Sequence, residues 1–411
     1  MKPQFANVTQ LDILENEAFY NLEYPFIKFC QNQTHRVNSW VNAAGSSISR
    51  HRDYGNDVPP LINIIIPVYG RKNHLKQSAQ CLVDQVKVLE DPSRVMVTVV
   101  EMSPEAEHKD YCEKLSIDYL HMKSSVFNKS AAMNTAASSF PAETFVFFDV
   151  DLVTGKDWVL QCLNTVRELH SGGDSCFVLQ PIPERKIYYV DEIKTKEIFD
   201  GKSNIASLAH GDHYVQPEWY KGNFPPGGAV LVSANLLYAV QGYDPPFFWS
   251  YSPEDLMFSK RATRFSTKKS FLAWNKNESM DIEVYHLHHE NKENTNPCYE
   301  HMTFMSDILD YNQSLGDWYS QDKVRWNGIS NQNFRLLQSA EQRFVADISQ
   351  DVQDTLYHNP DMTEEQLTNE TIHKPYPELP RYNPALYEVF VQYIRYMIKR
   401  KDHFFKVFRS S

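Results

Sequence analysis

Two aspartates follow the most hydrophobic run of the chain. The segment FVFFDVDLV at 145–153 places Asp149 and Asp151 one residue apart. A buried carboxylate without a partner costs free energy, so proteins pair it with a cation or with hydrogen-bond donors. Residues two apart on a strand face the same side, and two carboxylates there can share Mg²⁺ or Mn²⁺, or divide their work between a metal and a sugar hydroxyl. The alternative is an exposed strand end in which an aspartate caps a helix.

The segment DIEVYHLHH at 281–289 offers a second set of metal ligands. If it is a strand, alternation places His286 and His288 on one face and His289 on the other. Mixed carboxylate and imidazole sites are reasonable for Mn²⁺. A surface cluster of histidines, or one histidine in the core, is the alternative interpretation.

A third candidate site combines carboxylates with aromatic rings. Glu254 and Asp255 follow the aromatic loop FFWSY at 247–251. Aromatic faces stack on the apolar C–H patches of a sugar, and a carboxylate beside them can take a hydroxyl proton as a general base. Acidic residues at a helix N-terminus are the alternative. Upstream, Gly227-Gly228 is either a close approach to a ligand or a plain turn.

Composition and charge exclude several classes of protein. The 411 residues carry a net charge of −11, which argues against a general nucleic-acid binder. The six cysteines form no CxxC pair, and the chain has neither a dinucleotide fingerprint nor a P-loop lysine. The N-terminus lacks the apolar region of a signal peptide, and no stretch reaches the roughly 18 apolar residues of a membrane span. We therefore expect a cytoplasmic protein.

Strands and helices alternate along the first part of the chain. The pattern predicts strands at 61–66, 94–100, 117–121 and 145–148, with helices at 74–89, 110–114 and 127–138. Such alternation is typical of an α/β fold with a mostly parallel sheet. Open sheets of this kind bind ligands beyond the carboxyl ends of their strands. Pro67–Arg71, Glu101 and Asp149–Asp151 follow three strands, so we expect them to converge on one crevice.

The rest of the chain divides by composition. We predict an N-terminal extension at 1–58, an α/β domain at 59–300, a helical segment at 301–350, an irregular linker at 351–384 and a basic amphipathic helix at 385–411. Within the α/β domain, the chain after Trp158 is less regular until a strand follows the turn at 225–228. The last helix either lies on an anionic membrane surface or packs on the core.

Several spaced motifs within residues 61–297 resemble the β-1,4-galactosyltransferase family and, more loosely, the chondroitin-polymerase type of bacterial glycosyltransferase. They are IIIPVYGRKNHLK, FNKSAAMN, FVFFDVDL, PPGGAVLVS with its downstream GYD, W and ED, and HHENKENTNP. The resemblance implies a GT-A fold, which is Rossmann-like with a mostly parallel central sheet flanked by helices, here with helical N- and C-terminal extensions. One departure is WSYSPED at 249–255, where the family has a glycine-rich stretch.

The resemblance also implies roles for individual residues. Asp151 and His288 bind the metal, and the third ligand is either Tyr285, which aligns with a methionine of the family, or His286. Asp255 is the catalytic base, and Glu254 helps to hold a sugar. Glu101 contacts the uridine, and Asp149 faces the donor sugar or ribose. The remaining substrate-binding positions are Pro67, Tyr69, Arg71, Asn128, Lys129, Asn134, Gly228 and Trp249.

The function implied by the resemblance is a metal-dependent, inverting transfer of a sugar. The donor is a UDP-sugar of the galactose or N-acetylhexosamine type, the cofactor is Mn²⁺ or Mg²⁺, and the acceptor is a saccharide or lipid-linked saccharide of surface polysaccharide synthesis. The location is cytoplasmic, with peripheral membrane contact through the tail. One alternative is a non-catalytic sugar- or nucleotide-binding protein on the same frame. Another is a nucleotidyltransferase, which would want a glycine-rich phosphate loop.

Overall fold

A computed structural model describes most of the predicted α/β domain and little of the rest. The described residues are 46–51, 60–124, 127, 129–183, 186–210, 228–239, 242–243, 255, 258, 262, 279–290, 355, 359 and 361–372. They fall into two compact units, the first drawn from 40–237 and 261–291 and the second from 238–260 and 292–411. The predictions for Asn128, Trp249, Glu254, the 301–350 segment and the 385–411 helix lie outside the described residues.

The first unit contains a seven-stranded sheet with a parallel centre. Its strands are β1 (Ser47–Ser49), β2 (Ile62–Val68), β3 (Val95–Ser103), β4 (Asp118–Lys123), β5 (Thr144–Phe148), β7 (Val178–Leu179) and β9 (Ala229–Ser233). They lie in the order β1-β4-β3-β2-β5-β9-β7. The pairs β2–β3, β3–β4 and β2–β5 are parallel, whereas β1, β9 and β7 pair antiparallel. The predicted α/β fold with a mostly parallel central sheet is confirmed.

A second, three-stranded sheet stands beside the first in the same unit. It consists of β6 (Leu152–Thr154), β8 (Ile187–Tyr189) and β10 (Val284–His286), with β10 in the centre. The helices of the described residues are α1 (Lys72–Lys87), α2 (Lys109–Leu115), α3 (Lys129–Ser139), α4 (Trp158–Ser171), α5 (Glu192–Phe199), α6 (Ala234–Ala239) and α7 (Glu364–Ile372), with 3₁₀ turns at Pro92–Arg94 and Ile205–His210. Among the described residues, no helix is long and apolar enough to cross a membrane.

Buried polar side chains join the two sheets to the helices. Gln85 on α1 donates to Thr154 Oγ1 at 2.8 Å and accepts from Val159 N–H at 3.0 Å. It therefore ties α1 to the end of β6 and to the first turn of α4. Because burying an amide is favourable only when its polar atoms are paired, these bonds fix the end of β6, a strand of the second sheet, against α1 and α4. Asp151 directly precedes β6.

The structure corrects two expectations about regular structure. The stretch after Trp158, expected to be less regular, forms α4, β7, β8 and α5. The linker predicted to be irregular at 351–384 contains helix α7. Strands β7 and β8 are too short to show a period, but α4 has helical spacing that was missed, with Trp158, Cys162, Val166 and Leu169 buried. At the described end of the N-terminal extension, strand β1 pairs with β4 at the edge of the sheet.

A candidate metal centre at the carboxyl end of β5

The DVD segment is a turn rather than a continuation of the strand. Strand β5 ends at Phe148, Asp149 N–H donates to Gly228 O at 2.7 Å, and Leu152 N–H donates to Asp149 O at 3.1 Å. Gly228 has a φ of +107°, and a Cβ there would lie 3.0 Å from Leu152 Cδ1. Glycine is required at this position because an L side chain would be both strained and crowded.

The turn gives the two aspartates different environments, which corrects the expectation that they share one strand face. The Asp149 side chain is 29% exposed, and its Oδ1 pairs with Lys129 Nζ at 2.8 Å. The Asp151 side chain is only 8% exposed. Asp151 is therefore the buried carboxylate that needs a cationic or donor environment, and Asp149 lies at the solvent edge.

Asp151 lies beside two imidazole rings. His286 Nε2 is 3.6 Å from Asp151 Oδ1, and His289 Nε2 is 3.3 Å from Asp151 Oδ2. The three potential ligand atoms all lie within 4.8 Å of one another. The guanidinium of Arg71 pairs with Asp151 Oδ2, and its Nη2 is 3.4 Å from His289 Nδ1. We call Asp151, His286 and His289 the DHH cluster.

His288 is not a member of the DHH cluster, so its assignment as a metal ligand is corrected. Its side chain is exposed, and its peptide group makes the contacts. The physical reason is that β10 ends at His286, after which Leu287 N–H donates to Asp151 O at 2.8 Å. Strand alternation does not extend past that point, and His289 returns to the side of His286.

The tertiary structure also shows which of Tyr285 and His286 lies beside Asp151. Tyr285 is buried on the other face of β10, in an apolar cluster with Val153 and Leu287. Its ring centroid is 5.7 Å from that of Tyr188. Of these two residues, His286 is the one that faces Asp151.

The electrostatics of the DHH cluster suit a divalent cation. Burial by itself would raise the pKa of Asp151, but His286, His289 and Arg71 together hold that pKa well below its ordinary value. Burial lowers the pKa of His286, and the neutral form of an imidazole is the one that binds a metal. Asp151 Oδ1 is buried and has no hydrogen-bond partner. An unsatisfied carboxylate oxygen beside two imidazole rings is a donor set that fits Mn²⁺.

The turn between β2 and α1 brings Arg71 to this cluster. Gly70 has a φ of +59° and Arg71 a φ of +49°, so two successive residues are left-handed. His108 Nε2 donates to Gly70 O at 2.8 Å, and this hydrogen bond stabilises the turn. Tyr69 is exposed and stacks on Phe127 with ring centroids 6.0 Å apart. Tyr69, Arg71, Lys129 and Asp149 therefore lie near the carboxyl ends of the strands, and their contacts with a ligand stay predictions.

Other predicted substrate contacts are buried. Glu101 is fully buried and accepts hydrogen bonds from Ser103 Oγ (2.9 Å), the N–H groups of Glu107 and His108 (both 3.1 Å) and Tyr119 OH (2.5 Å). These donors occupy both carboxylate oxygens, so the expected uridine contact is corrected to a structural role. Pro67 lies within buried strand β2, and Asn134 is fully buried on α3.

Asp255 belongs to the second compact unit. It is a helical residue and is half-buried. In the same unit, the rings of Tyr243 and Phe258 stack with centroids 4.0 Å apart. The assignment of Asp255 as the catalytic base stays a prediction.

Comparison with known proteins agrees with the fold. Residues 63–218 match the family model described as "Glycosyl transferase family 2". No curated protein matches the chain significantly. Solved structures similar to the chain include S. aureus TarS 1-349 in complex with UDP-GlcNAc, at 15% identity over 83% of this chain and 91% of that chain, with a TM-score of 0.37.

Two further similar structures come from other organisms. A point mutant of Drosophila β-1,4-galactosyltransferase 7, in complex with manganese, UDP-Gal and xylobiose, is 15% identical over 58% of this chain and 75% of that chain, with a TM-score of 0.36. Mannosyltransferase PcManGT from Pyrobaculum calidifontis, in complex with GDP-Man and Mn²⁺, is 12% identical over 92% of this chain and 98% of that chain, also with a TM-score of 0.36. The family match covers β2, β3, β4, β5 and the DVD turn. Residues 63–218 of this chain therefore match a Glycosyl transferase family 2 domain, and the fold is of the GT-A type.

Proposed function

We propose that the chain is a metal-dependent glycosyltransferase that moves a sugar from a UDP-sugar to an acceptor hydroxyl with inversion at the anomeric carbon. The observation that carries this proposal is the unsatisfied, buried Oδ1 of Asp151 beside His286 and His289. It lies where a strand of a glycosyltransferase domain ends, which is where sheets of this type bind their ligands. The UDP-sugar donor, of the galactose or N-acetylhexosamine type, is taken from the motif resemblance.

Asp151, His286 and His289 would hold Mn²⁺ or Mg²⁺. The ion, when bound, supplies Lewis-acid stabilisation of the negative charge that grows on the leaving diphosphate. Arg71 adds a cation on the same side, because its guanidinium already contacts Asp151 and can donate two parallel hydrogen bonds to a phosphate. The chain thus concentrates positive charge where a donor diphosphate requires it.

The residues at the solvent edge would orient the donor. Lys129 neutralises Asp149 and holds its carboxylate in place at 2.8 Å. Asp149 retains acceptor capacity for a hydroxyl of the donor sugar or ribose, since a carboxylate has several lone pairs. The exposed stack of Tyr69 on Phe127 offers an aromatic face to the ligand.

Asp255 would act as the general base that takes the proton from the acceptor hydroxyl, with Glu254 and Trp249 holding the sugar. A positioned base contributes about 10²–10⁴-fold to such a reaction. Attack from the face opposite the diphosphate converts an α-linked UDP-sugar into a β-glycoside in one displacement. The acceptor is a saccharide or a lipid-linked saccharide of surface polysaccharide synthesis. A cytoplasmic location with contact between the basic 385–411 tail and an anionic membrane is part of this proposal.

The test is release of UDP from UDP-galactose, UDP-GalNAc and UDP-GlcNAc, with and without Mn²⁺ and with a panel of saccharide acceptors. The full-length protein should release UDP only with metal, and faster with the right acceptor. Asp151→Asn should lower that rate at least 100-fold. Asp84→Asn is the matched control, because Asp84 is an exposed carboxylate on α1. Metal-dependent binding of a UDP-sugar without any turnover would favour the non-catalytic alternative.

A further inference from the structure

The backbone N–H and C=O of His288 are each hydrogen-bonded to a buried side chain. Its N–H donates to Thr195 Oγ1 at 2.9 Å, and its C=O accepts from His74 Nε2 at 3.0 Å. Thr195 is 2% exposed and His74 is 8% exposed. A carbonyl oxygen can only accept, so the Nε2 of His74 carries the proton in this contact. We call Thr195 and His74 the His288 clamp.

The His288 clamp acts just beyond the end of strand β10. Strand β10 ends at His286, whose C=O accepts from Val190 N–H at 2.9 Å, and Leu287 N–H donates to Asp151 O. His288 has no strand partner, and its side chain is exposed. The two hydrogen bonds of the clamp therefore hold the backbone of His288, which strand pairing does not reach. The next residue, His289, supplies a ring to the DHH cluster.

The clamp also fixes the direction of that ring. His74 lies in the first turn of α1 and packs edge-on against Phe199 of α5, with ring centroids 4.8 Å apart. Its ring also stands edge-on to His289, with centroids 6.1 Å apart. Thr195 belongs to α5 as well. Two helices that carry none of the three cluster residues thus converge on the peptide that precedes His289.

We propose that His74 and Thr195 are positioning residues that hold His289 in a metal-binding geometry. The proposal rests on the metal centre of the proposed function and adds two residues that touch neither the metal nor the substrate. Groups that orient metal ligands typically change metal affinity 10–100-fold when they are removed. Loss of the clamp should therefore weaken Mn²⁺ binding by about this factor, without removing any ligand.

The experiment titrates full-length protein with Mn²⁺ alone and follows the free ion by electron paramagnetic resonance. Thr195→Val keeps the shape of the side chain and removes the acceptor, and His74→Phe keeps a ring against Phe199 and removes the donor. Both should bind Mn²⁺ roughly 10–100-fold more weakly than the unmodified protein. Thr195→Ser and His74→Gln restore an acceptor and a donor, and should bind within about threefold of it. Circular dichroism confirms that every variant is folded.

The matched control is His121→Phe. His121 is a buried histidine on β4 whose Nε2 donates to a backbone carbonyl, Ser103 O, at 3.1 Å. Its loss should lower thermal stability and leave Mn²⁺ affinity unchanged. Equal Mn²⁺ affinity in Thr195→Val, His74→Phe and the unmodified protein would overturn the clamp while the metal centre stands. Equal weakening in His121→Phe would also overturn it, because the effect would then come from general destabilisation. An unmodified protein that binds no Mn²⁺ would refute the metal centre itself.

Discussion

The three histidines at the end of β10 should differ sharply in their effect on metal binding. His286 and His289 each place an imidazole nitrogen within 4.8 Å of the other ligand atoms of the DHH cluster, whereas the side chain of His288 is exposed. We therefore predict that His286→Ala and His289→Ala lose Mn²⁺ affinity and that His288→Ala retains it. The comparison separates the structural assignment from strand alternation, which pairs His286 with His288.

The magnitude follows from what each substitution removes. Alanine at 286 or 289 deletes one of three protein ligands, which should cost more than the 10–100-fold typical of an outer-shell change. A loss of at least 100-fold corresponds to about 2.7 kcal/mol of binding free energy. Alanine at 288 keeps the peptide that Thr195 and His74 hold. It should change Mn²⁺ affinity less than threefold and the free energy of unfolding by about 0.5 kcal/mol or less, as surface substitutions do.

The assay is calorimetric titration of each folded variant with MnCl₂, repeated with UDP present. The unmodified protein and His288→Ala should give superimposable isotherms, while the other two variants should show no saturation in the same range. Loss of binding in His288→Ala, together with normal binding in His289→Ala, would refute the geometry of the cluster and restore the assignment from alternation.

Three further predictions concern catalysis and stability. Asp255→Asn should retain metal-dependent binding of the UDP-sugar, since it removes only the proposed base, and should lower transfer about 10²–10⁴-fold; normal turnover would refute its role. Gly155→Ala should destabilise the fold by more than about 2 kcal/mol in urea denaturation, because a Cβ there would lie 2.6 Å from the Asp281 carbonyl oxygen. Gly173→Ala, with a φ of +78° and open space around it, should cost only about 1 kcal/mol of conformational strain, and equal costs would contradict the steric argument. Tyr119→Phe should cost about 1–3 kcal/mol of unfolding free energy, because it removes a donor from buried Glu101. Tyr111→Phe removes an exposed hydrogen bond and should cost less unfolding free energy. Thermal melts of the two variants measure this difference.

The two aspartates of the DVD turn have different environments and therefore different proposed roles. Both follow the same apolar strand, yet one is buried among two histidines and an arginine and the other pairs with Lys129 at the solvent edge. The division depends on Gly228, whose carbonyl accepts from Asp149 N–H and starts the turn. The spacing of the two aspartates does not predict their different environments, because residues two apart face the same side on a strand but not in a turn.

Much of the site follows from the amino-acid sequence. Runs of apolar β-branched residues separated by helical periods indicated β2, β3, β4 and β5, and the polar residues after them indicated the edge at which Arg71, Asp149 and Asp151 meet. This works because a buried parallel strand must be apolar on both faces, so its polar end is visible in the sequence. The short strands β7 and β8 lack such a pattern and were not predicted, whereas helix α4 has helical spacing that was missed.

Which histidines lie beside Asp151 was decided only by the tertiary structure. His289 replaced His288 because β10 ends at His286, two residues before the point that the alternation of His286 with His288 requires. The next residue, Leu287, donates its N–H to Asp151 O, across more than a hundred residues of sequence. Glu101 became a structural residue because Tyr119, on the neighbouring strand, reaches its carboxylate. Thr195 carries no signal of its role in the sequence. Periodicity describes which face of a strand is apolar, whereas the partner of a polar group depends on which distant segments the fold brings together.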